Sequence, residues 1–217
     1  KERQLAKFTD SVNSLLTQDK IKSFKLFTSV DTWNQRAEYI RDGLDLEVFE
    51  RNLDYFLTNT TAPVTFMITF NIFSVTTFQT LLEKILEWRV KYNDVNSGRW
   101  QRIHFDTPYL KEPLQYDINI LPKEQYMPYM ESHLQFIQDN LKEGSKTHFS
   151  TMEYEKFRRV VSYMKTTEYD VNKIREGRRD FYNFFKEQDR RRNVDFESSF
   201  PEMSDFFTLC KEVNGTF

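Results

Sequence analysis

The sequence has little cysteine, little glycine and almost no excess of either charge. Its single cysteine, Cys210, means that the chain alone cannot form an intrachain disulfide or hold an iron–sulfur cluster through three or four thiolates. Such sparing use of cysteine is typical of reducing compartments, so we expect a cytoplasmic protein. The five glycines of the chain lie far apart, which excludes the glycine-rich loops that bind phosphates in Walker and Rossmann proteins.

The charges almost cancel, and long apolar stretches are absent. The chain of 217 residues carries 31 Lys and Arg against 33 Asp and Glu, so no overall field favours nucleic acid or an anionic membrane. No stretch approaches the roughly 18 apolar residues of a membrane span, and we expect no membrane partner. The histidines (His104, His133 and His148) show no metal-binding spacing, so no metal site is predicted. Aromatic residues reach 16% and can fill a core.

Hydrophobic periodicity predicts strands and helices in alternation over the first half of the chain. Strands are predicted over residues 21–30, 64–70 and 102–106, and helices over 2–18, 45–58 and 76–92. Strand starts about 40 residues apart with a helix between them are typical of right-handed βαβ units in a parallel sheet. Beyond Lys123 only helical patterns remain, over 123–142, 150–166, 171–190 and 201–212. We therefore predict an α/β fold in two parts, a partial (β/α) barrel over 1–122 and an α-helical region over 123–217.

Polar residues end the first predicted strand. Ser29 and Asp31 follow its alternating apolar residues and precede a helix. In α/β sheets, ligands bind beyond the carboxyl ends of the strands, so these two side chains are candidates for a binding site. The alternative is that they only terminate the strand and cap the next helix.

Five segments together resemble one enzyme family. They are SVDTWNQRAEYIRDGLDLEVFERNLDYFL, FMITFNIFSV, FDTPYL, RRDFYNFFKEQDRRR and FPEMSDFF, and they run in this order through most of residues 20–212. Their order and spacing resemble the C-terminal half of a radical S-adenosylmethionine (SAM) enzyme, in particular the twitch-domain radical SAM proteins. The resemblance implies that residues 1–122 are the second half of a (β/α)6 radical-SAM-type barrel. In that family, the C-x3-C-x2-C loop that binds the four-iron four-sulfur (4Fe-4S) cluster precedes this half, and this chain has no such loop.

The resemblance assigns cofactor contacts to four residues. Ser29 and Asp31 would meet the ribose or the amino-acid part of S-adenosylmethionine. Arg41 looks like the arginine that pairs with the methionine carboxylate, a role that suits a guanidinium fork. Asn71 is similar to the asparagine beside the adenosine. The cofactors implied for the intact enzyme are thus S-adenosylmethionine and a 4Fe-4S cluster, with the cluster ligands outside this chain.

Two further residues would face the substrate or the cofactor, and two positions depart from the family pattern. Asp106 and Tyr109 follow the third predicted strand, although Pro108 makes a plain turn an equal explanation for Asp106. Thr32 stands where the family usually has glycine, and Arg36 competes with Arg41 for the carboxylate. No catalytic residue is assigned within this chain.

The resemblance implies a reaction for the intact enzyme. It would cleave S-adenosylmethionine reductively, and the 5'-deoxyadenosyl radical would abstract hydrogen from a small-molecule or peptide substrate. The electron would come from a donor such as flavodoxin or ferredoxin. This chain would supply cofactor and substrate contacts as a fragment, and we expect it to be inactive alone.

Two other functions remain open from the sequence. Helix 175–192 could present a basic, aromatic surface to RNA or an acidic peptide in a non-catalytic α/β binding module. The simpler interpretation of this helix places Phe181, Phe184 and Phe185 in the core. A small α/β transferase that uses Ser29, Asp31 and Asn71 around another nucleoside is the third possibility.

Overall fold

Three parallel strands form the only sheet in the described residues, which are 2–92 and 101–215 of a computed structural model. The strands are β1 (Leu26–Ser29), β2 (Val64–Met67) and β3 (Ile103–Asp106), and they lie in the order β1-β2-β3. Leu26 lies opposite Val64, which in turn lies opposite Ile103. The predicted α/β class with a parallel sheet is therefore confirmed, whereas the partial barrel stays a prediction.

Nine α-helices surround the sheet or follow it within the described residues. They are α1 (Glu2–Thr17), α2 (Gln35–Ile40), α3 (Leu46–Asn59), α4 (Ser74–Lys91), α5 (Lys123–Asp139), α6 (Thr151–Thr166), α7 (Val171–Arg192), α8 (Phe196–Ser199) and α9 (Ser204–Asn214). Short 3-10 turns occur at Leu114–Tyr116, Ile118–Ile120 and Pro201–Met203. The long predicted helices are all confirmed to within a few residues, while the short helix α8 was not predicted.

Side-chain caps explain where several helices begin. Ser150 and Glu153 form a reciprocal capping box at the start of α6. Asp45 accepts a hydrogen bond from the Val48 N–H at the start of α3. Asp170 does the same for two N–H groups of α7. These residue types satisfy N–H groups that have no partner inside the helix.

The first two strands are shorter than predicted. β1 begins at Leu26 instead of residue 21, because its neighbour is preceded by Pro63, which has no N–H to extend the ladder. The Leu26 N–H donates to the Pro63 carbonyl as the first bond of the pair. β2 ends at Met67, and the pairing resumes only as an isolated bridge between Phe70 and Tyr109. The polar stretch YNDVNSGRW at residues 92–100, which the sequence predicts to be a loop, lies outside the described residues except for Tyr92.

The two faces of the sheet differ. Phe66 and Phe105 are buried on the face covered by α4, where the Phe66 ring stacks on Trp88 at 5.1 Å. On the other face Phe27 is 59% exposed. The apolar residues of 21–30 predict a strand buried on both faces, and this is wrong for the face that carries Phe27, because β1 lies at the edge of the sheet and no described helix covers Phe27. An open strand edge of this kind can pair with a second chain.

One hydrophobic cluster joins the sheet to the helical region. The Phe78 ring on α4 lies 4.8 Å from Phe157 on α6, and the Phe73 ring lies 4.8 Å from Phe185 on α7. Helices α5 to α9 therefore pack on the layer that carries the sheet. Across the described residues, no helix combines the length and the apolar character that a bilayer crossing requires.

Candidate functional site

Asp31 and Arg41 form a two-pronged ion pair beyond the carboxyl end of β1. Arg41 Nε donates to Asp31 Oδ2 at 2.9 Å, and Arg41 Nη2 donates to Asp31 Oδ1 at 3.1 Å. Asp31 is only 5% exposed, whereas the Arg41 side chain is 36% exposed. Burial raises the pKa of Asp31, and the hydrogen bonds and charge of Arg41, together with a backbone hydrogen bond from Thr69, offset this rise only in part. The pair therefore combines a buried carboxylate with a guanidinium that reaches the surface.

The end of β1 is fixed against α4. Ser74 Oγ donates to the Asp31 carbonyl at 3.3 Å, and Thr32 Oγ1 donates to the Thr77 carbonyl at 3.4 Å. These bonds hold the backbone on either side of the Asp31 carboxylate. Ser29, two residues earlier, is exposed, and its hydroxyl has no hydrogen-bond partner among the described residues.

Asn71 is buried beyond the carboxyl end of β2, but its amide is turned toward its own backbone. Asn71 Oδ1 accepts from the Phe73 N–H at 3.0 Å, and Nδ2 donates to the Thr69 carbonyl at 3.0 Å. The side chain thus organises the turn into α4. The second N–H of the Asn71 amide makes no hydrogen bond to a described residue, so it is the group that could donate to a ligand.

The two residues predicted to face the substrate, at the end of β3 and just after it, contact side chains of α6. Lys156 Nζ lies 2.9 Å from Asp106 Oδ2. The Tyr109 ring lies 4.5 Å from that of Tyr163, and Lys111 lies over both rings. No described contact joins this group to the Asp31–Arg41 pair, so the structure separates the predicted residues into two places.

Arg36 does not compete with Arg41 for Asp31. Its Nη2 donates to Glu202 Oε2 at 2.9 Å, and its guanidinium lies over the Phe200 ring. The adjacent groove of about 400 Å³ is lined by Asn34, Gln35, Arg36, Ser198, Ser199 and Pro201. Asn34 has φ 68° and ψ −166°, a conformation that only glycine adopts readily.

Three aromatic residues near the site were not predicted to belong to it. The Tyr116 carbonyl accepts a hydrogen bond from the Ile72 N–H, which places the Tyr116 turn beside the end of β2. Burial raises the pKa of Tyr116, and the nearby Asp31 charge raises it further. The Tyr116 ring lies 6.0 Å from Phe184 and 5.6 Å from Phe185 on α7. The sequence did not indicate that Tyr116 belongs to the site, because a tyrosine in a proline-rich loop has no distinctive spacing.

Helix α7 packs against the site with its aromatic face. Phe181 and Phe185 are buried as predicted, whereas Phe184 is 44% exposed. The prediction that Phe184 packs inward is wrong, because it lies at the border of the buried face, where its ring makes edge contacts with Tyr116 and Phe185.

The basic end of α7 is engaged in local contacts. Arg190 and Arg191 both pair with Glu187, and their hydrogen bonds lower its pKa to about 2. Arg192 donates to the carbonyls of Glu38 and Tyr39 on α2. Arg192 thus joins the end of α7 to α2, while Arg190 and Arg191 pair within α7.

The described residues do not fit an iron–sulfur cluster. Within 2–92 and 101–215, no group of three or more His, Cys, Asp or Glu side chains could hold a metal ion. Cys210 is buried, and burial raises the pKa of its thiol. Cys210 therefore belongs to the hydrophobic core and is not an exposed thiol.

Comparison with known proteins adds no relative. No protein-family model, curated protein or solved structure matches this chain. The resemblance to radical SAM enzymes therefore rests on the five sequence segments alone.

Proposed function

We propose that this chain contributes S-adenosylmethionine contacts to a radical SAM enzyme. The observation that carries the proposal is the ion pair between Asp31 and Arg41 beyond the carboxyl end of β1. Ligands of parallel α/β sheets bind at this edge, and the two side chains supply one acceptor and one donor of opposite charge. The order of the five sequence segments supports the same family.

The ion pair suits a ligand that carries both an ammonium and a carboxylate. The Asp31 carboxylate can accept from an ammonium or a ribose hydroxyl, and the Arg41 fork matches a carboxylate. Without ligand the charges of Asp31 and Arg41 neutralise each other. The N–H groups of Arg41 Nη1 make no hydrogen bond among the described residues, so they can donate to a ligand. Ser29 adds an exposed hydroxyl at the same strand end.

The chemical role of this chain is limited to binding and orientation. Bound S-adenosylmethionine would supply the sulfonium group whose reductive cleavage the family resemblance implies. The described residues do not fit the cluster that would deliver the electron, so we assign no redox step to them. Asp31 and Arg41 would orient the amino-acid end, and the cluster ligands would lie outside this chain.

Calorimetric titration of the 217-residue chain with S-adenosylmethionine tests the proposal. We expect binding to the wild type and at least a tenfold loss in Asp31→Asn, because a charge-assisted hydrogen bond contributes about 1.5–3 kcal/mol. Asp54→Asn is the matched control, since Asp54 also pairs with a basic residue, Lys91, but lies on α3. Binding that is absent from the wild type, or that is equal in Asp31→Asn and Asp54→Asn, would contradict the proposal.

The coding sequence before Lys1 gives an independent check. An in-frame C-x3-C-x2-C motif there would support the assignment to the cofactor-contact half of such an enzyme. An initiator close to Lys1 without this motif would count against radical chemistry.

A further inference from the structure

Three side chains on one side of α7 lie along the surface between the Tyr116 turn and the end of α2. Phe184, Gln188 and Arg192 are four residues apart, so they lie one above another on one side of the helix. Phe184 contacts the Tyr116 ring, and Arg192 donates to backbone carbonyls at the end of α2. Gln188 therefore lies between Tyr116 and the end of α2, the helix that Arg41 follows.

The side-chain amide of Gln188 finds no acceptor for its N–H groups among the described residues. Its Nε2 atom is buried, and no described residue accepts a hydrogen bond from it. A buried donor without an acceptor costs stability, and folded proteins rarely retain one without a reason. The residue as a whole is half-buried, so rotation of its side chain can bring the amide to the surface. A ligand acceptor at this place would remove the cost.

The aromatic neighbours of Gln188 offer a surface for stacking. Phe184 is 44% exposed although it lies among the rings of α7 and the Tyr116 turn. The Tyr116 hydroxyl has no hydrogen-bond partner among the described residues, and the ring is half-buried. An exposed aromatic face beside a neutral amide favours a flat, uncharged group that carries both acceptors and donors.

We propose that Phe184, Gln188 and Tyr116 form a substrate subsite for a planar heteroaromatic ring of the purine type. The adjacent N–H donor and oxygen acceptor of a glutamine amide match the N7 and N6 edge of adenine, as they do in the major groove of DNA. Phe184 would stack on the ring, and the Tyr116 hydroxyl would bind a second polar atom. The inference rests on the proposed function for its location, because it places the substrate beside the Asp31–Arg41 pair.

The test uses free adenine as the probe and saturation-transfer NMR on the complete chain. We expect adenine to bind the wild type, and Gln188→Leu and Phe184→Ala each to weaken binding about tenfold, the order found when a stacking ring or a matched hydrogen bond is lost. Arg190→Ala is the control, since Arg190 is exposed on the same helix and pairs with Glu187, one turn earlier on that helix. It should bind adenine as the wild type does.

A second readout separates binding from structure. Gln188→Leu removes a buried, unpaired donor, so it should unfold at the same temperature as the wild type or at a higher one. Weaker adenine binding combined with unchanged or raised thermal stability would support the subsite. Absent adenine binding, equal binding in all variants, or a lowered unfolding temperature in Gln188→Leu would overturn it.

The same proteins distinguish this inference from the proposed function. If S-adenosylmethionine binding depends on Asp31 while adenine binding ignores Gln188 and Phe184, only the subsite fails. If adenine binding depends on those two residues while S-adenosylmethionine does not bind, the proposed function fails and the subsite stands.

Discussion

Arg89 and Glu153 form an ion pair that is almost completely buried between α4 and α6. Arg89 Nη2 lies 2.5 Å from Glu153 Oε1, and their side chains are 1% and 4% exposed. Arg89 also donates to the carbonyls of Ile103 and His148, and Glu153 accepts from the Phe105 N–H. The pair therefore joins α4 and the start of α6 to β3. Its hydrogen bonds to the Ile103 carbonyl and the Phe105 N–H use backbone groups on the outer edge of β3.

Removing one charge of this pair should strongly destabilise the protein. Glu153→Gln leaves the Arg89 charge buried without compensation, and we expect the free energy of unfolding in urea to fall by about 3 kcal/mol. Glu155→Gln is the matched control on the same helix, because Glu155 pairs with Arg158 at the surface. That change should cost under about 1 kcal/mol. Equal losses in the two variants would show that burial does not set the strength of the Arg89–Glu153 pair.

Because α7 closely approaches the turns before α5, replacing Gly177 by a larger residue should destabilise the protein. A Cβ atom at Gly177 would lie 2.6 Å from Ile120 Cγ2 and 3.0 Å from Leu114 Cγ. Alanine favours a helix by about 1 kcal/mol, but crowding a packed core costs typically 1–3 kcal/mol, so Gly177→Ala should lower stability by about 1 kcal/mol. Gly215→Ala meets no atom closer than 3.8 Å and should change stability little. Thermal unfolding of both variants measures the difference, and a more stable Gly177→Ala would refute the packing argument.

Sequence patterns predicted the elements better than they predicted the partners of polar side chains. Periodicity located every long helix, because one buried face per helix dominates its apolar spacing. The exposure of Phe27 and Phe184 was missed, since position in a sheet or at the border of a helix face depends on what lies opposite. The sequence also did not predict that Asp31 pairs with Arg41. It indicated both as ligand-binding candidates, but their contact depends on how the chain folds.

For some residues of the site, no sequence pattern predicted that they belong to it. Gln188 lies within a charged helix pattern that predicts a solvated residue, and its buried amide follows from the packing of α7 against α2. Tyr116 lies in a proline-rich segment without periodicity. The sequence favoured Arg41 but left Arg36 as a competitor, and the structure separates them because Glu202, far away in the chain, pairs with Arg36.

The strained backbone at Asn34 should be relieved by glycine. Its φ of 68° and ψ of −166° belong to a region that costs a non-glycine residue of order 1–3 kcal/mol. We expect Asn34→Gly to raise the free energy of unfolding by about 1 kcal/mol. Asn193→Gly is the control, because Asn193 has φ 52° and ψ 47°, a left-handed conformation that asparagine tolerates. If both variants gain the same stability in urea, strain specific to Asn34 is not the cause.

The open edge of the sheet should promote self-association. Phe27 is 59% exposed on β1, and no described strand pairs with the outer edge of β1. Phe27→Lys should shift the chain toward monomer in sedimentation velocity, because a charge on an edge strand opposes pairing. Val90→Lys removes an equally exposed apolar side chain from α4 and should leave the distribution unchanged. A wild type that is monomeric at high concentration would contradict the expectation.

Protonation of His133 should destabilise the protein in mild acid. His133 is buried among Phe78 and Phe157, and its Nε2 must donate to the Val75 carbonyl, which can only accept. Its Nδ1 is then an acceptor without a partner among the described residues. Burial lowers the pKa of His133 from 6.5 to about 4, although the hydrogen bond to Val75 acts in the opposite sense.

The direction of the pH effect follows from the lowered pKa. Between pH 6.5 and 4 the unfolded chain binds a proton that the folded chain does not, so stability is highest above pH 6.5 and falls as the pH drops. The shift corresponds to a loss of about 3 kcal/mol across that range. His104, whose pKa burial also lowers, acts in the same direction, while the raised pKa of Asp31 acts in the opposite one near the acidic end.

Replacement of His133 by glutamine isolates its contribution. The amide of the new side chain can still donate to the Val75 carbonyl but does not titrate, so His133→Gln should flatten the dependence of the free energy of unfolding on pH between 6.5 and 4. His104→Gln should retain the part of the slope that His133 provides. Urea unfolding at half-unit pH intervals measures both slopes. A His133→Gln variant with the slope of the wild type would mean that other groups cause the acid sensitivity and that the imidazole can be protonated in place at little cost.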